Sequence, residues 1–279
     1  MIDQIIKFAF EEDIQDGDHT SLSCVPANAK GKAKLLVKED GILAGIELAE
    51  RIFNYYDADL KITKFINDGE KIKIGDIAFE IEGKSQSILA TERIVLNFMQ
   101  RMSAIATQTR KIADSIDHTD AKLLDTRKTT PGIRAIEKWA VKIGGGHNHR
   151  FGLYDMIMIK DNHIDYSGGI EAAITKANAY IKEKNLDIKI EIEVRDEQEL
   201  DEVLAIGNVD RVMLDNFTPA KIKEVLAKIP SHIETEASGG ITQENIVGYA
   251  ETGINFISSG ALTHSVKSMD LSLKAVYEK

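Results

Sequence analysis

The chain has 279 residues, of which 43% are hydrophobic and 29% charged, and its formal net charge is −10. This length and apolar content suit two domains, or one barrel with an added domain, and exclude a disordered chain. The acidic balance excludes a general binder of nucleic acid or anionic membrane, so an anionic ligand has to be held by a local basic cluster.

The N-terminal residues 1–18 have the pattern of a short amphipathic helix rather than of a signal peptide. No apolar run reaches the length of a membrane span. The single cysteine, Cys24, has no intrachain partner for a disulfide. We therefore expect a cytoplasmic protein.

The first part of the chain mixes strands and helices. Ala33–Lys38 and Ile77–Glu82 have strand character, whereas apolar residues from Ser87 to about Ile116 recur at helical spacing without Pro or Gly. The latter pattern predicts one long helix or two abutting ones. Together these elements predict a small α/β domain covering residues 1–115.

From Lys122 onward, short apolar runs alternate with amphipathic stretches. The predicted strands are Lys122–Leu124, Met156–Ile159, Ile188–Val194, Arg211–Leu214, Ile233–Ala237 and Asn255–Ile257. The predicted helices are Ile133–Val141, Gly169–Lys184, Asp196–Ala205, Pro219–Ala227 and Thr242–Glu251. Repeated strand–helix units imply parallel strands with right-handed crossovers. They favour a barrel over residues 116–265, with a doubly wound sheet as the alternative, and we predict a C-terminal helix over 266–279 that packs on the first domain.

Every predicted barrel strand is followed by polar, charged or glycine residues. They are Asp125–Lys128, Lys160–His163, Glu193, Asp215 with Asn216, Ser238–Gly240 and Ser258–Gly260. Active sites of parallel barrels are built at these carboxyl ends. Solvated strand ends would explain polarity alone, but not two basic clusters, three acids and two Ser-Gly turns at equivalent positions.

The two Ser-Gly turns follow the last two predicted strands. Ser238-Gly239-Gly240 leads into a helix predicted to start near Thr242, and Ser259-Gly260 opens a short helical stretch. Glycine lets the backbone approach a ligand, and helix N-termini favour anions. These turns predict a phosphate site.

The segment from Arg127 to His163 is basic within an acidic chain. Arg134, Lys138 and Lys142 are spaced by four and predict a solvated helix face. The better ligand candidates, in loops or at strand ends, are Arg127, Lys128, Arg150 and Lys160. Since Arg binds carboxylates bidentately and Lys supplies a point charge, the implied ligand is a compact polyanion.

Metal binding is expected to involve magnesium rather than zinc. His147 and His149 have no HExxH motif or cysteine partner. Mg²⁺ needs few protein carboxylates and prefers phosphate oxygens, so Glu193 and Asp215 are candidates for approaching such an ion or the hydroxyls of a ribose. Glu191 faces the same side of its strand as Glu193 and is interpreted as a structural acid of the barrel interior.

These residues lie in motifs that resemble quinolinate phosphoribosyltransferase. The resemblance is carried by DTRKTTPGIRAIEKWAVKIGGGHNHRFGLYD (125–155), IKDNHI (159–164), ERIVLNFMQRMSAIAT (92–107), EIEV (191–194), MLDNF (213–217), EASGGI (236–241) and SGALTHS (259–265). It implies an N-terminal α/β sandwich domain, an open α/β barrel, and transfer of phosphoribosyl from phosphoribosyl pyrophosphate to quinolinate with decarboxylation. It also implies a homodimer, or an assembly of dimers, with shared active sites.

The resemblance also implies roles for individual residues. Quinolinate carboxylates or phosphates would be bound by Arg127, Lys128, His149, Arg150, Lys160 and, from the neighbouring subunit, Arg101. Glu193 and Asp215 would hold the ribose and the metal-linked pyrophosphate. The 5′-phosphate site would comprise Ser238, Gly239, Gly240, Ser259 and Gly260. Lys128, Lys160, Glu193 and Asp215 are the expected catalytic residues, with Asp161, His163 and Asn216 orienting them.

Other interpretations remain open at this stage. A nicotinate phosphoribosyltransferase would use the same chemistry on a monocarboxylate, and a group linked to molybdenum transport shares much of the TRK and HR pattern. Residues 68–83 superficially resemble the hairpin of a biotinyl or lipoyl carrier, although no motif with a lysine at the tip is present. A barrel aldolase would use Lys160 as a Schiff-base lysine.

Overall fold

The computed structural model describes residues 1–276. The helices are α1 (Ile2–Asp13), α2 (His19–Cys24), α3 (Ile46–Tyr56), α4 (Ser85–Ser115), α5 (Arg134–Ile143), α6 (Asp161–Ser167), α7 (Ile170–Lys184), α8 (Glu197–Ile206), α9 (Pro219–Leu226), α10 (Ile246–Ala250) and α11 (Ala261–His264). The strands are β1 (Lys30–Val37), β2 (Gly41–Ile42), β3 (Lys61–Lys64), β4 (Lys71–Ile72), β5 (Ile77–Lys84), β6 (Lys122–Leu124), β7 (Ile157–Ile159), β8 (Ile190–Val194), β9 (Arg211–Asp215), β10 (Glu234–Ser238), β11 (Phe256–Ser258) and β12 (Leu271–Val276).

The chain divides into two compact units that are not contiguous in sequence. The first comprises Met1–Lys111, Thr129–Gly145 and the chain from Leu262 onward, and the second comprises Ile112–Lys128 and Gly146–Ala261. The sequence predicted one boundary near residue 115 with the C-terminal segment packing on the first domain, whereas this division also assigns α5 to the first unit.

The first unit is built on an antiparallel sheet with the strand order β12-β1-β5-β3. Alternate residues of β1, namely Ala33, Leu35 and Val37, are buried, as expected when one face of a sheet covers a core. Phe79 of β5 meets Phe53 of α3 edge to face, with 5.9 Å between the ring centroids. This core confirms the predicted α/β character of the N-terminal part.

The C-terminal segment is a strand, so the helix predicted there is wrong. Residues 271–276 pair antiparallel with β1, from Val37↔Leu271 to Lys32↔Val276. Leu271 and Leu273 are buried whereas Lys274 is exposed, which is the period of two expected for a strand. The last residues of the predicted helix, 277–279, lie outside the described part of the chain.

The long helical pattern forms one helix, α4, from Ser85 to Ser115. Buried residues such as Val95, Met99, Met102 and Ala106 recur every three or four positions and give the helix one apolar face.

Residues 68–83 do not form the carrier hairpin, because β4 pairs with β2 whereas β5 lies between β1 and β3. Within residues 1–276, no helix combines the length and apolar character needed to cross a membrane.

The second unit contains a six-stranded parallel sheet with the order β6-β11-β10-β9-β8-β7. Both faces of the interior strand β9 are covered, since its successive residues Val212, Met213 and Leu214 are all buried. From β7 to β11 each strand neighbours the next along the chain, and β6 follows β11. This cyclic order is that of a barrel left open between β6 and β7, and it lacks the reversal of a doubly wound sheet.

Candidate active site

The carboxyl ends of the parallel strands bring most of the predicted site residues onto the same edge of the second unit. Arg127 and Lys128 follow β6, Lys160 follows β7, and Glu193 lies near the end of β8. Asp215 ends β9, and the two Ser-Gly turns follow β10 and β11. Because the strands are parallel and in register, residues distant in sequence meet at this edge.

Lys160, Glu193 and Asp215 form the charged centre of this edge. Lys160 Nζ donates to Glu193 Oε2 in an ion pair in which the glutamate is mostly buried. Burial, followed by the charge of Glu193, raises the pKa of Asp215. Two carboxylates thus share one lysine, and this surplus of negative charge favours a further cation. The carboxylate oxygens are suitable ligands for Mg²⁺.

Of the three residues for which only an orienting role was predicted, Asn216 and His163 contact this centre or its backbone, and Asp161 contacts the neighbouring Asn162. Asn216 Nδ2 donates to Asp215 Oδ2 at 2.6 Å. Lys160 donates its backbone N–H to His163 Nδ1 at 3.0 Å, and Asp161 Oδ1 accepts the N–H of Asn162 at 2.7 Å. These contacts fix the start of α6, on which Lys160 is the capping residue.

The Ser238-Gly239-Gly240 turn requires glycine for two reasons. Gly239 and Gly240 have φ angles of +88° and +61°, a region that side chains disfavour. A Cβ on Gly239 would also lie 2.3 Å from Asn216 Oδ1. The backbone N–H of Asn216, which has a φ of 58°, donates to Ser238 O at 2.8 Å and ties the ends of β9 and β10 together.

The helix after this turn begins later than predicted. It starts at Ile246 rather than near Thr242, because Asn245 Oδ1 accepts the N–H of Thr242 at 2.8 Å and holds residues 242–245 in a turn. α10 and α11 have 5 and 4 residues, too few for a strong helix dipole. Any phosphate binding here therefore depends on the glycine backbone. On the second turn, the N–H of Ser259 donates to Leu124 O at 3.0 Å.

Two arginines, Arg127 and Arg150, follow or lie beside β6, the edge strand at which the barrel is left open. After α5 the chain returns to pair with β6 at a single parallel bridge, Leu124↔His147, and then continues to Arg150. Burial lowers the pKa of Arg150, and the positive charge of Arg127 lowers it further. Two guanidinium groups that oppose each other's charge in this way are suited to binding an anion between them.

His149 points into the barrel rather than into solvent. Its side chain is 4% exposed, and Nε2 lies 3.1 Å from Glu191 Oε2 and 3.3 Å from Glu236 Oε2. Burial lowers the pKa of His149, but the contacts with the two glutamates outweigh it and raise the pKa to about 9. Burial and the charge of Glu236 raise the pKa of Glu191 to about 7. The cluster therefore retains a proton at neutral pH.

Arg101 forms hydrogen bonds to other residues of the first unit. Nε and Nη2 donate to Glu137 Oε1 at 3.0 and 2.8 Å, and the guanidinium also donates to the carbonyls of Thr263 and Val266. Glu137 is fully buried and additionally accepts from Thr130 N and Oγ1. These bonds give Arg101 a structural role within its own unit, and its contribution to a neighbouring subunit's active site stays a prediction.

The helix that carries Glu137 also departs from the predicted solvated face. Lys138 is 1% exposed, although Lys142 is exposed as predicted. The spacing of four was read as one solvated face, but α5 is covered on several sides, with Ile136, Ala140 and Val141 also buried.

The whole chain matches known proteins of one kind. Residues 18–103 match the family model described as quinolinate phosphoribosyl transferase, N-terminal domain, and residues 105–274 match the model for the C-terminal domain. The chain belongs to the quinolinate phosphoribosyltransferase family. The resemblance seen in the sequence motifs is thereby confirmed over both domains.

Individual relatives of the family cover nearly the full length. Quinolinate phosphoribosyltransferase [decarboxylating] 1b of Nicotiana tabacum is 45% identical over 97% of this chain and 81% of that protein. The probable nicotinate-nucleotide pyrophosphorylase [carboxylating] of Bacillus subtilis is 42% identical over 97% of this chain and 92% of that protein. The crystal structure of NadC from Streptococcus pyogenes superposes with a TM-score of 0.93 at 38% identity, covering 100% of this chain and 97% of that one.

Proposed function

We propose that this family member transfers the phosphoribosyl group of phosphoribosyl pyrophosphate to quinolinate and releases carbon dioxide. The products are nicotinate mononucleotide and pyrophosphate, as expected for an enzyme of de novo NAD biosynthesis. The observation that carries the proposal is the strand-end edge of the second unit. There, Arg127 follows β6, the Lys160–Glu193 ion pair lies at the ends of β7 and β8 beside Asp215 of β9, and the Gly239-Gly240 turn follows β10.

The basic residues suit the two anionic parts of the reaction. Quinolinate carries adjacent carboxylates, which match the paired guanidinium groups of Arg127 and Arg150. Lys128 and Lys160 add point charges for a carboxylate or for the departing pyrophosphate. The Gly239-Gly240 backbone is accessible to the 5′-phosphate of the ribose.

The acids suit the transition state at the ribose. When pyrophosphate leaves, positive charge develops at the anomeric carbon, and Glu193 and Asp215 stabilise that charge. The pyridine nitrogen then forms the new bond to this carbon. As the carboxylate at ring position 2 leaves as carbon dioxide, the adjacent positive nitrogen stabilises the electron pair left on that carbon, which then takes up a proton from solvent. The protein supplies charge and positioning, without a covalent intermediate.

Magnesium is part of this proposal. The donor set fits, because Glu193 and Asp215 hold more negative charge than Lys160 neutralises. The ion would be bound mainly through substrate phosphates, near these two acids, and would neutralise the charge of the departing pyrophosphate. We also propose a homo-oligomer with shared active sites, a cytoplasmic location and no nucleic-acid partner. The names of some plant relatives place those proteins in mitochondria or chloroplasts.

Two assays distinguish the proposed reaction from its alternatives. A choice of substrates separates quinolinate transfer from nicotinate transfer, and borohydride trapping detects a Schiff base on Lys160. Purified protein with phosphoribosyl pyrophosphate and Mg²⁺ is offered quinolinate or nicotinate, and products are measured by mass spectrometry. We expect turnover of quinolinate and little of nicotinate, because a monocarboxylate leaves part of the guanidinium pair unmatched. Turnover of nicotinate alone would contradict the proposal. Borohydride trapping of a substrate on Lys160 would revive the Schiff-base reading, which its ion pair with Glu193 disfavours.

A further inference from the structure

Glu137 of α5 is a buried acid that the proposed reaction does not use. Its Oε1 accepts hydrogen bonds from Arg101 Nε, Arg101 Nη2 and Thr130 Oγ1, at 3.0, 2.8 and 2.8 Å. Its Oε2 accepts the backbone N–H of Thr130 at 2.9 Å. Burying a carboxylate is costly unless its oxygens are hydrogen-bonded, and these four bonds meet that need. Three of them converge on the oxygen that faces Arg101.

The guanidinium of Arg101 is fixed in direction by the same network. Besides its two bonds to Glu137, Nη2 donates to Thr263 O at 2.5 Å and Nη1 donates to Val266 O at 2.8 Å. The acceptors therefore belong to two separate segments of the first unit, α5 and residues 263–266. An arginine held at its planar fork in this way has one orientation, whereas an unbound arginine on a helix samples many rotamers.

One donor of Arg101 stays available for a further acceptor. A guanidinium has five N–H groups, of which four are used in the bonds just described, and the second N–H of Nη1 has no acceptor within residues 1–276. The side chain is 20% exposed, so an acceptor from outside the unit can approach it. Since Glu137 offsets part of the positive charge, what it adds for an incoming anion is direction rather than attraction.

We propose that Glu137 is a positioning residue, which holds Arg101 so that its remaining N–H donates to an anionic group of the substrate in the neighbouring subunit's active site. This inference rests on the proposed function, and in particular on the proposal of shared active sites. The anion is a carboxylate of quinolinate or a phosphate of phosphoribosyl pyrophosphate, and both accept hydrogen bonds from a guanidinium in the same way. A substitution of Glu137 should therefore impair the neighbour's site rather than the site of its own subunit.

Steady-state kinetics of Glu137→Leu test the positioning role. Because leucine accepts no hydrogen bond, we expect the KM of one substrate to rise about 10- to 100-fold, as when a binding group is displaced from its productive position. The KM that rises identifies the anion as a carboxylate or as a phosphate. Glu137→Gln keeps the size and one acceptor oxygen, so it should lose less, and it replaces Glu137→Leu if the latter does not fold. Phe53→Leu is the control for stability, because Phe53 packs on Phe79 in the core of the same unit. It should lower the melting temperature and leave both KM values unchanged.

Mixed subunits distinguish an effect on the neighbour's site from an effect on the same subunit. Glu137→Leu and Lys160→Ala are co-expressed, and activity is assayed below the raised KM. In a mixed dimer, one site combines Lys160 of the Glu137→Leu subunit with Arg101 of the partner subunit, which its own Glu137 still holds. We therefore expect part of the activity to return, with the KM of the wild type.

Three results would overturn the proposal. No recovery in the mixture would mean that Glu137 acts on the site of its own subunit, for example through Thr130. Unchanged KM values in folded Glu137→Leu would make Glu137 a structural residue only. A lowered KM would show that its negative charge hinders the anion more than its hydrogen bonds help. Inactivity of the wild type with quinolinate would instead contradict the proposed function.

Discussion

Replacing Gly239 by alanine tests the glycine turn after β10 as a phosphate-binding element. The added Cβ would lie 2.3 Å from Asn216 Oδ1 and 2.9 Å from Asn216 N, and the residue would have to keep a φ of +88°. The backbone conformation costs about 1–2 kcal/mol for a residue with a side chain. Displacing Asn216 sacrifices at least one hydrogen bond, to Asp215 or to Ser238, worth about 0.5–1.5 kcal/mol.

The total is therefore about 1.5–3.5 kcal/mol, most of which we expect to be lost from substrate binding and the rest from stability. Since about 1.4 kcal/mol corresponds to a factor of ten, we expect the KM for phosphoribosyl pyrophosphate to rise about 10- to 100-fold. The KM for quinolinate should change much less. The assay follows nicotinate mononucleotide by mass spectrometry while each substrate is varied in turn, and thermal unfolding measures the remaining loss of stability.

Gly240→Ala is the matched control. Gly240 also has a positive φ, +61°, but a Cβ there would meet no heavy atom within 4 Å. It therefore carries the conformational cost without the clash, and its effect on the KM for phosphoribosyl pyrophosphate should stay below about tenfold. Equal effects of the two substitutions, or an unchanged KM in Gly239→Ala, would refute the argument from the clash with Asn216.

Three further predictions concern ion pairs and the C-terminal strand. Arg101→Ala strands the buried Glu137 carboxylate, so thermal unfolding should show a loss of about 3 kcal/mol, whereas mixing with Lys160→Ala subunits should restore part of the activity, as expected for shared active sites. Hydrogen bonds from Lys221 and Lys228 lower the pKa of Glu197 to about 2. The stabilisation is therefore complete above the unfolded pKa of 4.5, and the difference in melting temperature between wild type and Glu197→Gln should shrink as pH falls from 4.5 towards 2. Deletion from residue 271 onward exposes β1, so urea unfolding should show a lower midpoint.

Each of these predictions has a contradicting result. The absence of any recovery in mixed subunits would exclude Arg101 from the neighbour's active site. A difference in melting temperature for Glu197→Gln that is constant from pH 7 to pH 2 would show that its lysine pairs do not stabilise the folded state. An unchanged urea midpoint after the deletion would mean that pairing of the last strand contributes nothing to the first unit.

The parallel strands could be predicted closely from the sequence. Each lies within two residues of its predicted bounds, because these runs are short, apolar and bounded by turns or charged residues. β12 was missed, although Leu271, Leu273 and Ala275 alternate with polar residues, because a six-residue pattern at a chain end is easily read as either element. The late start of α10 depends on the side chain of Asn245, which no periodicity reveals.

Site residues could be predicted where their place at the end of a strand brings them to the edge of the sheet. They could not be predicted where the direction of a side chain decides which residues it contacts. Lys160, Glu193 and Asp215 follow from counting along strands. The inward orientation of His149, the burial of Lys138 and the ion pair of Arg101 with Glu137 depend on how elements pack, which sequence spacing does not specify. One signal was available for the interior cluster. Glu191, Arg211 and Glu236 are charged residues within strands predicted for the barrel core, and buried charges are expected to be paired.

The product stoichiometry of the wild-type protein tests the central claim most directly. Quinolinate labelled with carbon-13 in the carboxylate at ring position 2 is incubated with phosphoribosyl pyrophosphate, Mg²⁺ and purified protein. Nicotinate mononucleotide, labelled carbon dioxide and pyrophosphate are then quantified together. The account predicts equal amounts of all three, with the label entirely in carbon dioxide. Pyrophosphate without nicotinate mononucleotide, or a folded protein that forms no product, would contradict it.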